Sequence, residues 1–341
     1  MLESDINGCY DSIRKGSHSF FSASKLLPKN IRDPAVVLYA FCRLADDSVD
    51  QKGAPNDAVD ILRERLDKAY AGKPINESVD RAFASLIVLS EMPRALPEAL
   101  LEGMEWDSAN LKYETLSDLH AYSARVASAV GVMMCVLMNV RDKDVLARAC
   151  DLGAAMQLTN IARDIGEDAR NGRLYIPLRW MAEEGLDINR FLNNPEPGKR
   201  VGRIAKRLLA EAERLYSRAE AGLSELPFSC RPGIFAARHI YEQIGKHIAA
   251  ADYDSITKRA FTTKMEKLSF LLLSVANSAT VSLMPRSAIV HAEPLEEMRF
   301  LINATSVYQS NKGLIDRKAG AVMNILEQME RRDRRYQTVL E

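Results

Sequence analysis

The chain has 341 residues, with 46 Lys+Arg against 46 Asp+Glu, 47% hydrophobic and 27% charged residues. This balance gives no electrostatic case for a nucleic-acid partner, and the apolar content excludes a chain dominated by disorder. The five scattered cysteines (Cys9, Cys42, Cys135, Cys150 and Cys230) form no C-x-x-C pair, which argues against a disulfide framework or zinc ribbon and fits a reducing cytoplasm.

Met-Leu-Glu-Ser-Asp at the N-terminus has no basic start before an apolar core, so no signal peptide is expected. Helical periodicity dominates thereafter and strand-like alternation is scarce, which predicts an all-α fold. A segment behind Pro28 runs to about Asp50, with Val36, Val37, Ala40, Phe41 and Leu44 on one stripe. Gly53-Ala-Pro55 breaks it, and Asn56 or Asp57 is placed to cap a helix over Ala58–Tyr70. Ala71-Gly72-Lys-Pro74 ends that helix, Val79–Leu89 forms the next, and Pro97 opens one carrying Leu100, Leu101 and Met104.

Leu116–Val140 is long and rich in small residues such as Ala121, Ala124, Ala127 and Gly131. That composition suits tight helix packing and equally the wall of a cavity for a long greasy tail. Asp142 to about Arg170 is a second long helix, followed by an irregular stretch with Gly172, Pro177, Pro195 and Pro197. Further helices are expected over 199–224, 232–253 and 264–284.

Two uncharged runs bear on membrane insertion. Val126–Val140 has 15 residues and is too short to span. Leu268–Pro285 has 18, but its Ser269, Ser274, Asn277, Ser278, Thr280 and Ser282 point to a buried helix. The chain divides into a body over 1–285 and a solvated helical extension over 286–341. In the extension Val322, Ile325, Leu326 and Met329 share one face, and Glu330–Arg335 is densely charged. A membrane-surface or partner role is the alternative for this extension.

The most informative pattern occurs twice. Asp46-Asp47-Ser48-Val49-Asp50 reads D-D-x-x-D, and Asp164-Ile-Gly-Glu167-Asp168 reads D-x-x-E-D. Residues i and i+4 share a helix face, so each motif presents two carboxylates on one side. Like charges so placed repel unless a cation sits between them, and Mg²⁺ prefers such oxygen ligands shared with substrate phosphate. Gln157 and Asn160 extend the second motif into one polar line on an otherwise apolar helix, an expensive stripe if buried without partners. Two solvated acidic faces are the plain alternative. The repetition, with Arg43 and Arg163 beside the acids, favours a metal-diphosphate site. Arg43 shares a face with Asp46, and Tyr39 lies one turn earlier. Ser17, Ser19 and Phe20 form a short segment able to close over phosphate, and His18 reads as a phosphate contact or a satisfied polar residue rather than a base. Arg259 and Lys267 are further phosphate candidates, although each alone reads more simply as a solvated charge.

Together these residues resemble the squalene/phytoene synthase family. The resemblance rests on Gly16-Ser-His-Ser-Phe20 with Leu26-Leu-Pro28, on Tyr39–Asp50, on Gln157–Asp168 running on through Asn171–Pro177, and on Tyr241–Lys267. It implies a single all-α isoprenoid-synthase domain with both aspartate helices facing a central cavity. It implies Mg²⁺, with Mn²⁺ able to substitute, held by Asp46, Asp50, Asn160, Asp164 and Asp168. The substrate contacts it implies are Ser17, Ser19, Tyr39, Arg43, Gln157, Arg163, Tyr241 and Arg259, to which the reading of the residues adds His18, Phe20 and Lys267. Asp46, Asp50, Asp164, Asp168, Tyr39 and Arg43 would carry catalysis. The implied reaction is head-to-head condensation of two geranylgeranyl diphosphates through a cyclopropyl diphosphate, with no NADPH. The implied setting is the cytoplasm, with peripheral inner-membrane contact for release of an apolar product. A family member working on farnesyl diphosphate is the nearest rival, and a non-catalytic assembly or lipid-binding scaffold is the rival of another class. Two positions depart from the family pattern. His18 stands where Lys is common, and Ala124 stands where a second aromatic is usual, so no aromatic role falls there.

Overall fold

A computed structural model describes residues 2–16, 18–50, 57–281 and 287–310; Lys15, His18, Ser19, Asp50 and 307–310 are described by backbone alone. The described residues contain no strand. The helices in chain order are α1 (Glu3–Gly16), α2 (His18–Ser24), α3 (Lys29–Asp50), α4 (Ala58–Tyr70), α5 (Ser78–Ser90), α6 (Ala95–Ser108), α7 (Leu116–Ser123), α8 (Ala129–Leu137), α9 (Lys143–Arg170), α10 (Leu178–Glu183), α11 (Ile188–Asn193), α12 (Lys199–Leu223), α13 (Arg231–Ala250), α14 (Lys264–Val281) and α15 (Arg299–Ser310). The all-α expectation holds, and most long helices fall within a few residues of their predicted spans. Asn56 lies outside the described residues, and Asp57 precedes α4 without a side-chain capping bond.

The centre of the body is α9. Asp142 caps it, its Oδ1 accepting from the amides of Asp144 (3.0 Å) and Val145 (3.2 Å) and so satisfying donors the first turn leaves open. Small residues bring neighbouring backbones against it. A Cβ on Gly153 would lie 2.7 Å from Ser128 Cα, and one on Gly166 would lie 2.7 Å from Ile256 Cα. The α7–α8 axis is a single helical run interrupted by a π-helical turn over Ala124–Ser128. Ser128 Oγ in that turn donates to Cys150 O of α9 at 2.8 Å. The run Leu116–Leu137 is long and apolar enough to cross a membrane, but 67% of its most apolar window is buried inside the body.

Four expectations need correction. The stretch after Arg170 holds two short helices, α10 and α11; Asp187 caps the second by accepting from the Arg190 amide. Pro97 does not open α6 but sits in its first turn, where a missing N–H costs no helical bond. The helix α14 is not buried. Only Ser274 and Ser278 of it are, while Met265, Leu272 and Val275 are 73%, 69% and 52% exposed. The serines face inward because their hydroxyls bond to their own helix: Ser274 Oγ donates to Phe270 O, and Ser278 Oγ to Ser274 O. Lastly, residues 287–306 are no solvated extension: Val290, Met298, Leu301, Ile302 and Thr305 are buried, and α15 packs on α6, α8 and α9. The charged stretch with Val322 and Glu330 lies outside the described residues.

Candidate active site

A cavity of about 740 Å³ lies between α2, α3, α6, the α7–α8 run, α9, α12 and α13. Its polar mouth takes Tyr39, Arg43 and Asp46 from α3, and Gln157, Asn160, Arg163, Asp164 and Glu167 from α9. Tyr241 of α13 and Arg259, from the loop before α14, complete the mouth. The spacings of three and four residues along both long helices explain why these side chains share one opening. Below the mouth the lining is apolar and mostly small or flexible, with Ala127, Val130, Gly131, Met134 and Met156 among it.

Acids and arginines alternate at the mouth. Arg43 Nη1 donates to Asp46 Oδ2 at 3.1 Å, and its Nε to Asp47 Oδ2 at 3.1 Å. On the facing helix Arg163 Nε donates to Asp164 Oδ1 at 2.8 Å, and Arg259 Nε reaches the same oxygen at 2.9 Å. Arg259 also stands 3.2 Å from Glu167 Oε2. Burial pushes the Asp164 carboxyl up, but the two guanidiniums outweigh it and hold the group below its ordinary value. Asn160 Oδ1 is buried with no hydrogen-bond partner. Phe20 stacks on Tyr39 with ring centroids 5.5 Å apart. Burial raises the hydroxyl pKa of both Tyr39 and Tyr241, keeping them as proton donors.

Several predicted residues stand elsewhere. Asp168 does not line this cavity; it faces a small crevice with Arg173 and Tyr175. Asp168 lies one turn nearer the helix end than Asp164, against Arg173 and Tyr175 of the returning chain. Burial, then the charge of Asp164, pushes its carboxyl up to about 7. Lys267 does not line the cavity either, and burial lowers its ammonium pKa. Ser17 lies outside the described residues, as do the side chains of His18, Ser19 and Asp50. Glu167 went unsingled as a site residue in the sequence, although its position three residues after Asp164 is the same signal that links Gln157 to Asn160.

No group of three or more His, Cys, Asp and Glu gathers as a metal cage among the described residues. A closed cage is not what Mg²⁺ needs on a diphosphate, since it takes one or two carboxylates and fills its shell with water and phosphate oxygens. Asp46 and Asp164 lining one cavity, with the unpartnered Asn160 oxygen one turn before Asp164, fit that demand.

The sequence profile of squalene/phytoene synthases matches residues 13–266, and the chain belongs to this family of prenyltransferases. Among its relatives, the phytoene synthase of Cereibacter sphaeroides is 52% identical over 346 aligned positions, covering 98% of this chain and 96% of that one. The phytoene synthase of Rhodobacter capsulatus is 52% identical, with 98% of each chain covered. A solved dehydrosqualene synthase with a bound ligand superposes at a TM-score of 0.74 and 29% identity, over 82% of this chain and 98% of that one. The family, the helical fold and the head-to-head condensation that the resemblance implies all agree with these relatives.

Proposed function

We propose that the chain condenses two geranylgeranyl diphosphates head to head, through a cyclopropyl diphosphate, to phytoene, using Mg²⁺ or Mn²⁺ and no NADPH. The observation that carries this reading is one cavity with an acid-and-arginine mouth and an apolar interior. Along α9 the lining runs from Val145 to Glu167, which at 1.5 Å per residue is about 33 Å of helix.

Asp46, Asp164 and Asn160, with Asp50 one turn beyond Asp46, would hold the cation. When bound, Mg²⁺ neutralises diphosphate charge and eases its departure. Arg43, Arg163 and Arg259 sit on the same carboxylates and reach the same space. Their planar forks suit diphosphate oxygens once the acids turn to metal. Gln157 lines this region and adds a neutral donor, and Ser17, His18 and Ser19 would add further phosphate contacts. The Phe20–Tyr39 pair and Tyr241 lie where the first allylic cation would form, and an aromatic face steadies positive charge by about 1–2 kcal/mol when desolvated. The apolar walls keep water from quenching that cation.

The exposed face of α14 supports peripheral contact with the cytoplasmic side of a membrane. Met265, Leu268, Leu272 and Val275 point outward at helical spacing, with Phe261 exposed just before the helix and Lys258 and Lys264 exposed beside it. Apolar contact flanked by cations suits an anionic bilayer, into which a water-insoluble hydrocarbon can pass. Leu272→Glu is expected to cut co-flotation with anionic vesicles while leaving activity in detergent unchanged.

The deciding assay is incubation with geranylgeranyl or farnesyl diphosphate and Mg²⁺, with and without NADPH, followed by identification of the hydrocarbon. A forty-carbon product without NADPH is expected. Squalene, a strict NADPH requirement, or no diphosphate release at all rejects the reading.

A further inference from the structure

Toward the end of the cavity away from the diphosphate mouth stands a charged residue, with Val145 of α9 lining the cavity one turn beyond it. Arg148 lines the cavity, is 1% exposed, and is the largest fully buried side chain among the described residues. An arginine there is costly: apolar residues of similar size usually fill a core at lower free energy than a buried ion pair. Its Nε and Nη2 make no well-directed hydrogen bond, which adds to the cost.

The partners it does have come from two sides. Arg148 Nε stands 2.8 Å from Asp151 Oδ2, one turn along α9. Its Nη1 donates to the carbonyls of Ile289 (2.6 Å) and Val290 (3.3 Å), in the segment that crosses behind the cavity after α14. Asp151 also accepts from Arg218 Nε at 3.0 Å, and Arg218 Nη2 donates to Glu293 O at 2.7 Å. Two arginines and one aspartate thus fasten residues 289–293 to α9 and α12. On the opposite flank α12 passes so close that a Cβ on Gly222 would lie 2.5 Å from Arg148 Cβ and 2.9 Å from Cγ.

We infer that Arg148 is the end-stop of the hydrocarbon cavity, a specificity-determining residue that limits the length of the prenyl chain accepted. The inference rests on the prenyl-diphosphate reading above. A leucine or methionine end wall yields by changing rotamer when a longer tail presses on it. A guanidinium pinned to a carboxylate and two carbonyls, with its stem against bare helix backbone, does not. The segment 287–293 thereby acts on substrate choice without lining the cavity itself.

The test uses the full-length enzyme and Mg²⁺ with farnesyl, geranylgeranyl and geranylfarnesyl diphosphate, whose tails have fifteen, twenty and twenty-five carbons. Diphosphate release gives kcat/KM for each, and calorimetry with the unreactive thiolodiphosphate analogues gives Kd. Arg148→Ala is expected to raise the geranylfarnesyl-to-geranylgeranyl ratio about tenfold or more, since a single methylene of pocket space is already worth that much. Gly222→Ala, which adds a carbon at the same end, is expected to shift the ratio the other way, toward farnesyl. Where Arg148→Ala fails to fold, Arg148→Met with Asp151→Leu removes both charges together and is expected to show the same shift. Ratios unchanged in kcat/KM and in Kd, with all substrates falling in parallel, would make Arg148 purely structural and overturn the inference. A wild-type enzyme that releases diphosphate from none of the three would instead sink the functional reading beneath it.

Discussion

Asn160 and Asp164 stand one turn apart on α9 at the mouth of the cavity, and only one of them is satisfied. Asp164 is gripped by Arg163 and Arg259, whereas the Asn160 side-chain oxygen is buried with no partner. A folded protein keeps such an orphan when something absent from the bare chain uses it. Asn160→Leu should therefore leave the metal-free protein as stable or more stable, by up to about 1 kcal/mol, because an unmet desolvation cost disappears. It should also abolish product formation. Urea unfolding in chelator, set beside hydrocarbon yield, checks both halves. Clear destabilisation with activity retained would contradict the assignment.

Asp46→Asn and Asp164→Asn should each lower diphosphate release by about 100- to 1,000-fold, the scale of losing one preorganised charge at a developing anion. Both variants should also bind Mg²⁺-diphosphate more weakly by calorimetry. Chelation should silence the wild type, and Mg²⁺ or Mn²⁺ should restore it. Activity that persists in chelator would refute a metal-assisted departure.

Gly153→Ala should destabilise the fold by roughly 1–3 kcal/mol, the usual cost of forcing an atom into a packed contact. The added carbon would meet Ser128 Cα at 2.7 Å and the backbone of Ala127 at 2.8 Å, and backbone cannot step aside as a side-chain tip can. Gly198→Ala is the matched control, since nothing lies within 4 Å of its new carbon. Equal denaturation midpoints for the two variants would show that α9 does not need this close approach.

Acid sensitivity should trace to Glu211 and Glu242. Burial opposes ionisation of Glu211, yet its bonds from Arg214 and His120 win and hold it at about 2, against an ordinary 4.5. Glu242 is likewise held at about 2, through His239 first and then Lys246 and Arg238 despite burial. A carboxyl whose folded pKa is depressed adds stability above its unfolded value and loses it as pH falls toward the folded one. The loss from these groups should therefore run from about pH 4.5 down to about 2, at most roughly 3 kcal/mol each. Denaturation midpoints of Glu211→Gln should fall less steeply than wild type across that window. An identical slope would show that Glu211 is not among the groups that titrate.

Much of the helical scaffold and the doubled acidic faces are legible in the sequence, because both depend on spacing along a single helix. What faces what across helices is less so. The apolar period of α14 would look the same whether its leucines or its serines faced inward, and only the self-bonded Ser274 and Ser278 show which way it lies. The place of Asp168 against Arg173 and Tyr175 depends on where the chain returns after Gly172. Met298, Leu301 and Ile302 are buried although charged residues precede them, and the sequence up to 285 does not foretell what they cover. Arg148 is a lone arginine among small residues and carries no local signal; its meaning comes from carbonyls some 141 positions away.

The π-helical turn over Ala124–Ser128 has a bearing on how this wall can evolve. Beyond it, Val130, Met134 and Met138 recur every fourth residue along the cavity, and Gly131 and Cys135 run beside them. The turn accommodates one residue more than a regular helix would, so excising a single residue there would restore a regular helix and leave everything downstream facing as before. The same excision in the regular helix on either side would swing the downstream side chains by about 100° and off the lining. The π-helical turn is therefore a point where this wall can lose a residue and keep its face.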